Sequence, residues 1–499
     1  MLDTRLLLIL GLLLSTGLKA QVDSAYMYSF GGGRDDFGRD MELTQDNGFI
    51  LVGSTSSFGA GNSDVYLVKT DSALKRTWSV ALGHGHLEVG RAVEISPIGG
   101  GYVICGYTNS IGNGGYDAYV LGTDPSGKLL WERTMGGFDW DFAHDLKPTS
   151  DGGYLVVGKT YSFSDNGKAD GYIFKIKANG DLEWEKNLGS GGDDEFNRII
   201  PTRDGNFAIC GARQDTSMDG NPQNFWLVKM DETGKILFDA HYSYPISRSG
   251  HGIIENQKGE FVMVGIEVDE KLGVNNEYVM VADSTGKFVR HIDVLFGEKT
   301  DEMYDIVEGS SLYFTMGHTN SHGNGEPKGI FGARTISIDF NMQLVYGPVV
   351  GEGWYDKKMY TVRIKDGRRY GIGDVGSFEN QYRDMGVIEY RSDTNAWRYG
   401  LSETYRFQDT TLDRTVAVEN HETQADGFQL YPNPVSDRLI IQAPSINGPM
   451  NFHILDIRGS ILEEYEIDFQ GEAALDVSRL SQGSYILVID GHIPLRFQK

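Results

Sequence analysis

Asp151-Gly152-Gly153-Tyr154-Leu155-Val156-Val157-Gly158, and after a polar stretch Gly171-Tyr172-Ile173-Phe174-Lys175-Ile176, decide the fold. Each is a short, β-rich apolar run bounded by Gly and Asp, the pattern of a buried strand between turns. Asp145-Leu146-Lys147-Pro148 reads as a strand before them and Leu182-Glu183-Trp184-Glu185-Lys186 as a strand after. This four-strand unit recurs. One marker is a Gly closing the second run: Gly53, Gly106, Gly158, Gly211, Gly265, Gly317 and Gly371, spaced 53, 52, 53, 54, 52 and 54. A second is an aromatic in the third strand: Tyr66, Tyr119, Tyr172, Trp226, Tyr278 and Phe331, with Gly386 in the seventh repeat. Two markers in one register give seven repeats. Four strands at this period predict an all-β chain built as a seven-bladed β-propeller. Tyr26-Met27-Tyr28-Ser29-Phe30-Gly31 reads as a fourth strand lacking its own first three. It is expected to complete the seventh blade, leaving no open sheet edge.

Composition agrees. The 499 residues include 65 Gly and 13 Pro, with 40% hydrophobic and 23% charged residues, a globular and turn-rich chain. At roughly 150 residues per domain, about three domains fit, or one repeat domain and a small one. The net charge of -25 argues against binding nucleic acid or an anionic membrane, since both need a basic face. Two cysteines, Cys105 and Cys210, make no disulfide framework and take the apolar slot of Val52 and Val157 in other repeats, so they read as core thiols.

Arg5 and the apolar run at residues 6–14, ending at Ala20, read as a signal peptide over residues 1–20, too short to span a bilayer. No later segment is long and apolar enough to cross as a helix, and the mature chain is expected to be a secreted or surface monomer. Residues 21–400 form the predicted propeller, residues 401–427 a polar linker, and residues 428–499 a small β module with Pro, Asn and Gly turns, suiting an Ig-like sandwich.

In such a blade the first-to-second and third-to-fourth turns are tight and rich in Asp and Gly, a structural face. The longer second-to-third loops and the blade connections share the other face, where a pocket at the channel mouth is expected. Two repeat positions there carry candidates. Before the first strand stand Asp36, Glu88, Asp141, Asp194, Arg248, Asp301 and Asp356. Six acids at one register read first as a blade-to-blade hydrogen bond to backbone amides, repeated as a structural device. The alternative is a cation-binding ring of Asp36, Glu88, Asp141, Asp194, Asp301 and Asp356, for which Ca2+ is the suitable ion; no other cofactor is expected. Three residues later come Arg39, Arg91, His144, Asn197, His251, Tyr304 and Met359. Polar, planar and varied, Arg39, Arg91, His144, Asn197, His251 and Tyr304, with Asp141, are the candidate ligand contacts. His84 and His86, and His318 and His322, are weaker metal candidates with no third ligand placed. No nucleophile–base pair, complete metal set or phosphate loop appears, so no catalytic residue is assigned.

Asp151-Gly152-Gly153-Tyr154 and Trp131-Glu132-Arg133-Thr134-Met135-Gly136-Gly137 resemble the repeats of secreted bacterial propellers, over about residues 24–390. The stretch Asp124 to Trp131 approaches the Asp-boxes of sialidases and the repeats of quinoprotein dehydrogenases, but its Asp-to-Gly spacing fits neither. The last 72 residues resemble the type A C-terminal sorting domain of the Bacteroidetes type IX secretion system. Three motifs carry this: Tyr431-Pro432-Asn433-Pro434, Asp456-Ile457-Arg458-Gly459, and Leu480-Ser481-Gln482-Gly483-Ser484-Tyr485. The resemblance implies recognition by the outer-membrane translocon and its sorting-domain peptidase machinery, then release or attachment at the surface; an ordinary Ig-like adhesion module is the alternative. Three functions stay open. They are a binding module for a glycan or protein, a glycan hydrolase or lyase using acids at the channel mouth such as Asp141 and Asp194, and a structural surface component.

Overall fold

The computed structural model describes residues 24–164, 166–269, 273–294, 300–310, 312–319, 332–339, 344–345, 349–350, 358–376, 382–391, 403–408, 429–431, 437–455, 461–481, 484–489 and 495–499. The expected signal peptide lies outside them. The described residues contain strands, turns and loops and no helix. The chain divides into two compact units, Met1–Leu412 and Asp413–Lys499.

In the first unit the chain enters as β1 (Ser24–Phe30). Then β2 (Asp36–Leu43), β3 (Phe49–Thr55), β4 (Asp64–Thr70) and β5 (Arg76–Leu82) form a four-stranded antiparallel sheet in chain order. Four more such sheets follow, ending with the strand Phe288–Val294; a sixth starts at Asp301–Glu308. The last is ordered Lys358–Lys365, Arg368–Gly376, Arg383–Arg391, β1, Glu403–Gln408. Each sheet packs on the next, and β2 packs on the last, an arrangement consistent with a β-propeller. β1 pairs antiparallel with Arg383–Arg391, from Ser24↔Arg391 to Phe30↔Met385. Glu403–Gln408, within the stretch read as linker, pairs in parallel with the other side of β1.

The burial of each strand explains its sequence. β3 and β4 are buried at every position, because neighbouring sheets cover both faces. They therefore read as continuous apolar runs rather than alternating ones. Ile236–His241, a fourth strand on the rim, alternates half-buried and exposed. Cores form between sheets; one joins Val103, Cys105 and Val120 to Leu146, Tyr154, Val156 and Phe174. Each such side chain contributes about 1.5–3 kcal/mol on leaving water. Cys105 and Cys210 are buried and free, as read. Trp78, Trp131 and Trp184 pack between sheets, lying where a Cβ on Gly127, Gly180 and Gly234 of the following sheet would go.

The recurrent Gly has a cause the spacing did not reveal. A Cβ on Gly158 would stand 1.9 Å from the Phe142 carbonyl oxygen of the adjacent strand, and the same contact recurs at Gly53, Gly106, Gly211, Gly265 and Gly317. In the seventh sheet the residue so placed is Gly373, 1.7 Å from the Lys358 oxygen, not Gly371. The sixth aromatic marker shifts too, since Gly317 pairs with Arg334 rather than Phe331.

In the second unit the described residues form one five-stranded antiparallel sheet. Arg438–Leu455 pairs with Gln429–Tyr431, Ile461–Asp476 and Ser484–Ile489, and the last pairs with Leu495–Gln498. Leu439, Ile441, Phe452, Ile454, Phe469, Leu475, Leu487 and Ile489 form its core. Leu480 and Tyr485 of the motifs are buried, and the Tyr485 hydroxyl donates to the Ser481 carbonyl at 2.7 Å. Tyr431 ends the first strand. Pro432, Asn433, Pro434, Asp456, Gly459 and Gly483 lie outside the described residues.

Candidate functional site

Among the described residues of the first unit, the first strand of each of the seven sheets carries a β-bulge, one residue displaced from the ladder. The displaced residues are Arg39, Arg91, His144, Asn197, His251, Tyr304 and Tyr360. A bulge re-aims the side chain it displaces. All seven face one cavity of about 550 Å3. The structure thus gathers six of the seven residues proposed as ligand contacts. The seventh repeat is corrected by one place: Met359 is buried in the core, and Tyr360 is the bulged residue. Counting three from Asp356 missed it.

The bulged side chains tie one sheet to the next. His144 Nδ1 donates to the Phe196 carbonyl at 2.8 Å, and Asn197 donates to the Gly250 carbonyl at 3.0 Å. Burial, and then the charge of Arg91, hold the His144 imidazolium well below the usual histidine range, so the ring is neutral near pH 7. Burial also lowers His251, whose Nε2 is buried and has no hydrogen-bond partner among the described residues. The His251 ring meets Tyr304 edge-on at 5.3 Å, and Tyr304 packs on Tyr360 at 5.1 Å.

The rest of the lining was not singled out in the sequence. Tyr107, Trp140, Phe142 and Tyr161 supply rings, and Lys159, Glu195, Arg198 and Thr361 supply polar groups. Trp140 lies edge-on to Tyr161 at 6.3 Å, and Tyr107 edge-on to Phe142 at 5.1 Å. Trp140 is 50% exposed, and Phe138 on the same connection is 91% exposed. A signal existed: Tyr107 and Lys159 each follow a marker Gly, and Phe142 and Glu195 each stand two residues before a bulge.

Asp141, the remaining proposed contact, is buried and does not line the cavity. Its carboxylate accepts from the Thr160 hydroxyl, the Ser162 hydroxyl at 2.7 Å and the Gly137 amide at 2.8 Å. The same device recurs. Asp36 accepts from Thr55, Ser57 and the Gly32 amide, Glu88 from Thr108 and the His84 amide, and Asp194 from Ser190 and the Gln214 amide. Asp301 accepts from Thr319. The expected blade-to-blade bond to amides is thus corrected: these acids take hydroxyls of their own sheet as well as amides, and fasten each incoming connection to that sheet. Among the described residues no three His, Cys, Asp or Glu side chains assemble as a metal-holding group, so the proposed cation ring is not gathered into one site. Asp356 and His322 lie outside the described residues. His84 meets Glu132 at 3.0 Å, and His318 meets Glu302 at 3.3 Å.

A belt of buried charge also escaped the sequence reading. Asp40, Asp145 and Asp305, each next after a bulge, accept from the Val93, Ile199 and Val362 amides of the following sheet at 3.1, 2.9 and 3.0 Å. Arg198 pairs with Asp305 at 2.9 Å, and Arg363 bridges Asp40 and Asp305 at 3.2 and 3.3 Å. Lys147 and Arg198 approach Asp145 at 3.7 and 4.0 Å, so each carboxylate of the belt faces a cation, which a buried charge requires.

The matched charges continue into the cavity. Arg39 pairs with Asp374 at 3.5 Å and lies 4.2 Å above the Tyr360 ring. Lys159 pairs with Glu195 at 3.2 Å. Burial works against the Glu195 charge, but Lys159 overcomes it and holds the carboxyl below its ordinary range.

Among solved structures, the chain is similar to the polysaccharide lyase Uly1, with 11% identity over 73% of this chain and 92% of that one and a TM-score of 0.45. A Dyadobacter fermentans protein of unknown function is 10% identical over 73% and 97%, with a TM-score of 0.42. A Trypanosoma rangeli sialidase in complex with sialic acid is 10% identical over 73% and 56%, with a TM-score of 0.38. No curated protein matches the chain. Residues 429–494 match the family described as the secretion system C-terminal sorting domain; the chain therefore carries the type IX sorting domain of Bacteroidetes, which directs a protein to secretion or the cell surface.

Proposed function

We propose that the chain is a seven-bladed β-propeller binding module, exported through the type IX system and presented outside the cell. Residues 1–20 address it to the first membrane, residues 21–400 form the ring, residues 401–427 lead away from it, and residues 428–499 fold as an Ig-like sandwich read by the translocon and its peptidase. The ligand is a saccharide, bound at the cavity of the bulged residues. The observation carrying this is the lining: seven bulged side chains converge on one cavity whose wall holds Trp140, Tyr161, Tyr107 and Phe142. Aromatic faces with a few fixed polar groups suit ring-shaped, hydroxylated ligands, and the volume lies in the range of small-ligand sites.

Calorimetric titration of the chain against a saccharide panel tests this. Trp140→Ala should weaken the best binder by about 10-fold or more, the loss of roughly 1.4 kcal/mol or more of ring contact. Undiminished binding would remove the cavity from consideration and favour a protein partner or a structural role.

A hydrolase resting on two carboxylates gains no support, because Glu195 alone among the lining residues is acidic and it pairs with Lys159. A lyase is the second reading, favoured by His251, whose imidazole lines the cavity edge-on to Tyr304. Such a group can accept a proton from substrate. Accumulation of an unsaturated, ultraviolet-absorbing product from any bound saccharide would replace the binding reading with this one.

A further inference from the structure

The chain carries a net charge of -25, yet its cavity is lined by Arg39, Arg91, Lys159 and Arg198 against one carboxylate, Glu195. Three of those cations are matched, by Asp374, Glu195 and Asp305. Arg91 is not. Among the described residues its guanidinium has no ion pair and no hydrogen bond, and the residue is only partly exposed. Burial, and then repulsion from Arg39, push its pKa below the ordinary guanidinium value. A guanidinium stays protonated even so. A charge partly withdrawn from water without a partner is a cost to the fold. The acids that could relieve it are engaged elsewhere, by Lys159 for Glu195 and by Arg39 and Tyr360 for Asp374.

We infer that the saccharide bound in this cavity is anionic, and that Arg91 holds its oxyanion, a carboxylate or a sulfate ester, across the planar fork that suits either group. This rests on the saccharide reading above and names the charge that reading leaves open. Arg39 adds to the local field but is already tied to Asp374 and stacked on Tyr360. Trp140 and Tyr161 remain available to the sugar faces.

The test uses the full chain with three probes: an oligogalacturonate, a sulfated galactan oligosaccharide and a neutral galacto-oligosaccharide. The uronate or the sulfated probe should bind at least about 10-fold more tightly than the neutral one, and raising salt should narrow the gap. Which of the two binds identifies the oxyanion. Arg91→Gln should remove about 10- to 100-fold of that affinity, as for a lost charge-assisted hydrogen bond. Without ligand, the same variant should melt no lower than the parent, because an unmatched charge has been removed. Arg91→Lys, which keeps the charge but not the fork, should retain part of the affinity, and it serves if the Gln variant fails to fold. Equal binding of neutral and anionic probes, or binding untouched in both variants, would overturn the inference and leave the saccharide reading in place. Absence of binding by all three probes would overturn both.

Discussion

Asp36 is wholly buried, with Thr55, Ser57 and the Gly32 amide around its carboxylate, and burial lifts its pKa from 3.8 to about 6 in spite of those bonds. Between about pH 4 and pH 6 the folded chain keeps a proton that the unfolded chain has released. Stability therefore falls as pH rises through that window, by up to about 3 kcal/mol from this residue, and stays lower above it. Asp36→Asn should flatten that part of the melting-temperature profile against pH; an unaltered slope would show that the group is not buried as described. Asp141 and Asp194 are raised for the same reason and steepen the parent's decline. The uniform register of these acids was legible in sequence as a repeated hydrogen-bonding device, because a structural constraint acts equally on every repeat, but its partners, hydroxyls within the same sheet rather than amides of the next, were not. The varied register three places on was legible as a candidate surface for the opposite reason. Arg91 could be placed in the cavity from sequence, but its lack of a partner could not. That depends on Lys159 taking Glu195 and Arg39 taking Asp374, contacts between different sheets.

At the scale of the element, the strands were readable because β3 and β4 are covered on both faces and the rim strands on one. The bulge was not read, although its imprint is the marker Gly itself. The ladder kinks at His144, the Phe142 carbonyl turns inward, and only a residue without Cβ fits opposite at Gly158. Gly158→Ala should therefore force the two strands apart, cost about 3 kcal/mol by chemical denaturation, and move His144 out of the cavity wall. A variant of parental stability would mean the carbonyl can rotate away freely. The same imprint, followed to Gly373, would have located Tyr360 in place of Met359. What misled the spacing was the interval between the sixth and seventh markers, 56 residues from Gly317 to Gly373 against 52 to 54 elsewhere.

At the scale of the molecule, the sorting domain was the most legible part, since its motifs are ordered and lie at the chain's end, while the cavity's chemistry needed seven sheets assembled around it. Removing residues 429–494 should leave the protein inside the cell envelope, detected by fractionation and by its resistance to protease added outside; normal surface exposure of the truncated chain would contradict its role as the export signal. The pairing of β1 with Arg383–Arg391 has a consequence in time. The Tyr28 hydroxyl donates to Glu389, 361 residues further along. At about 5–20 residues per second, the first strand made waits roughly 20 to 70 seconds for the one that will hold it. Through that interval β1 has neither of the strands it pairs with, Arg383–Arg391 and Glu403–Gln408. A chain whose synthesis stops early never acquires the partner, and its open first strand marks it as incomplete.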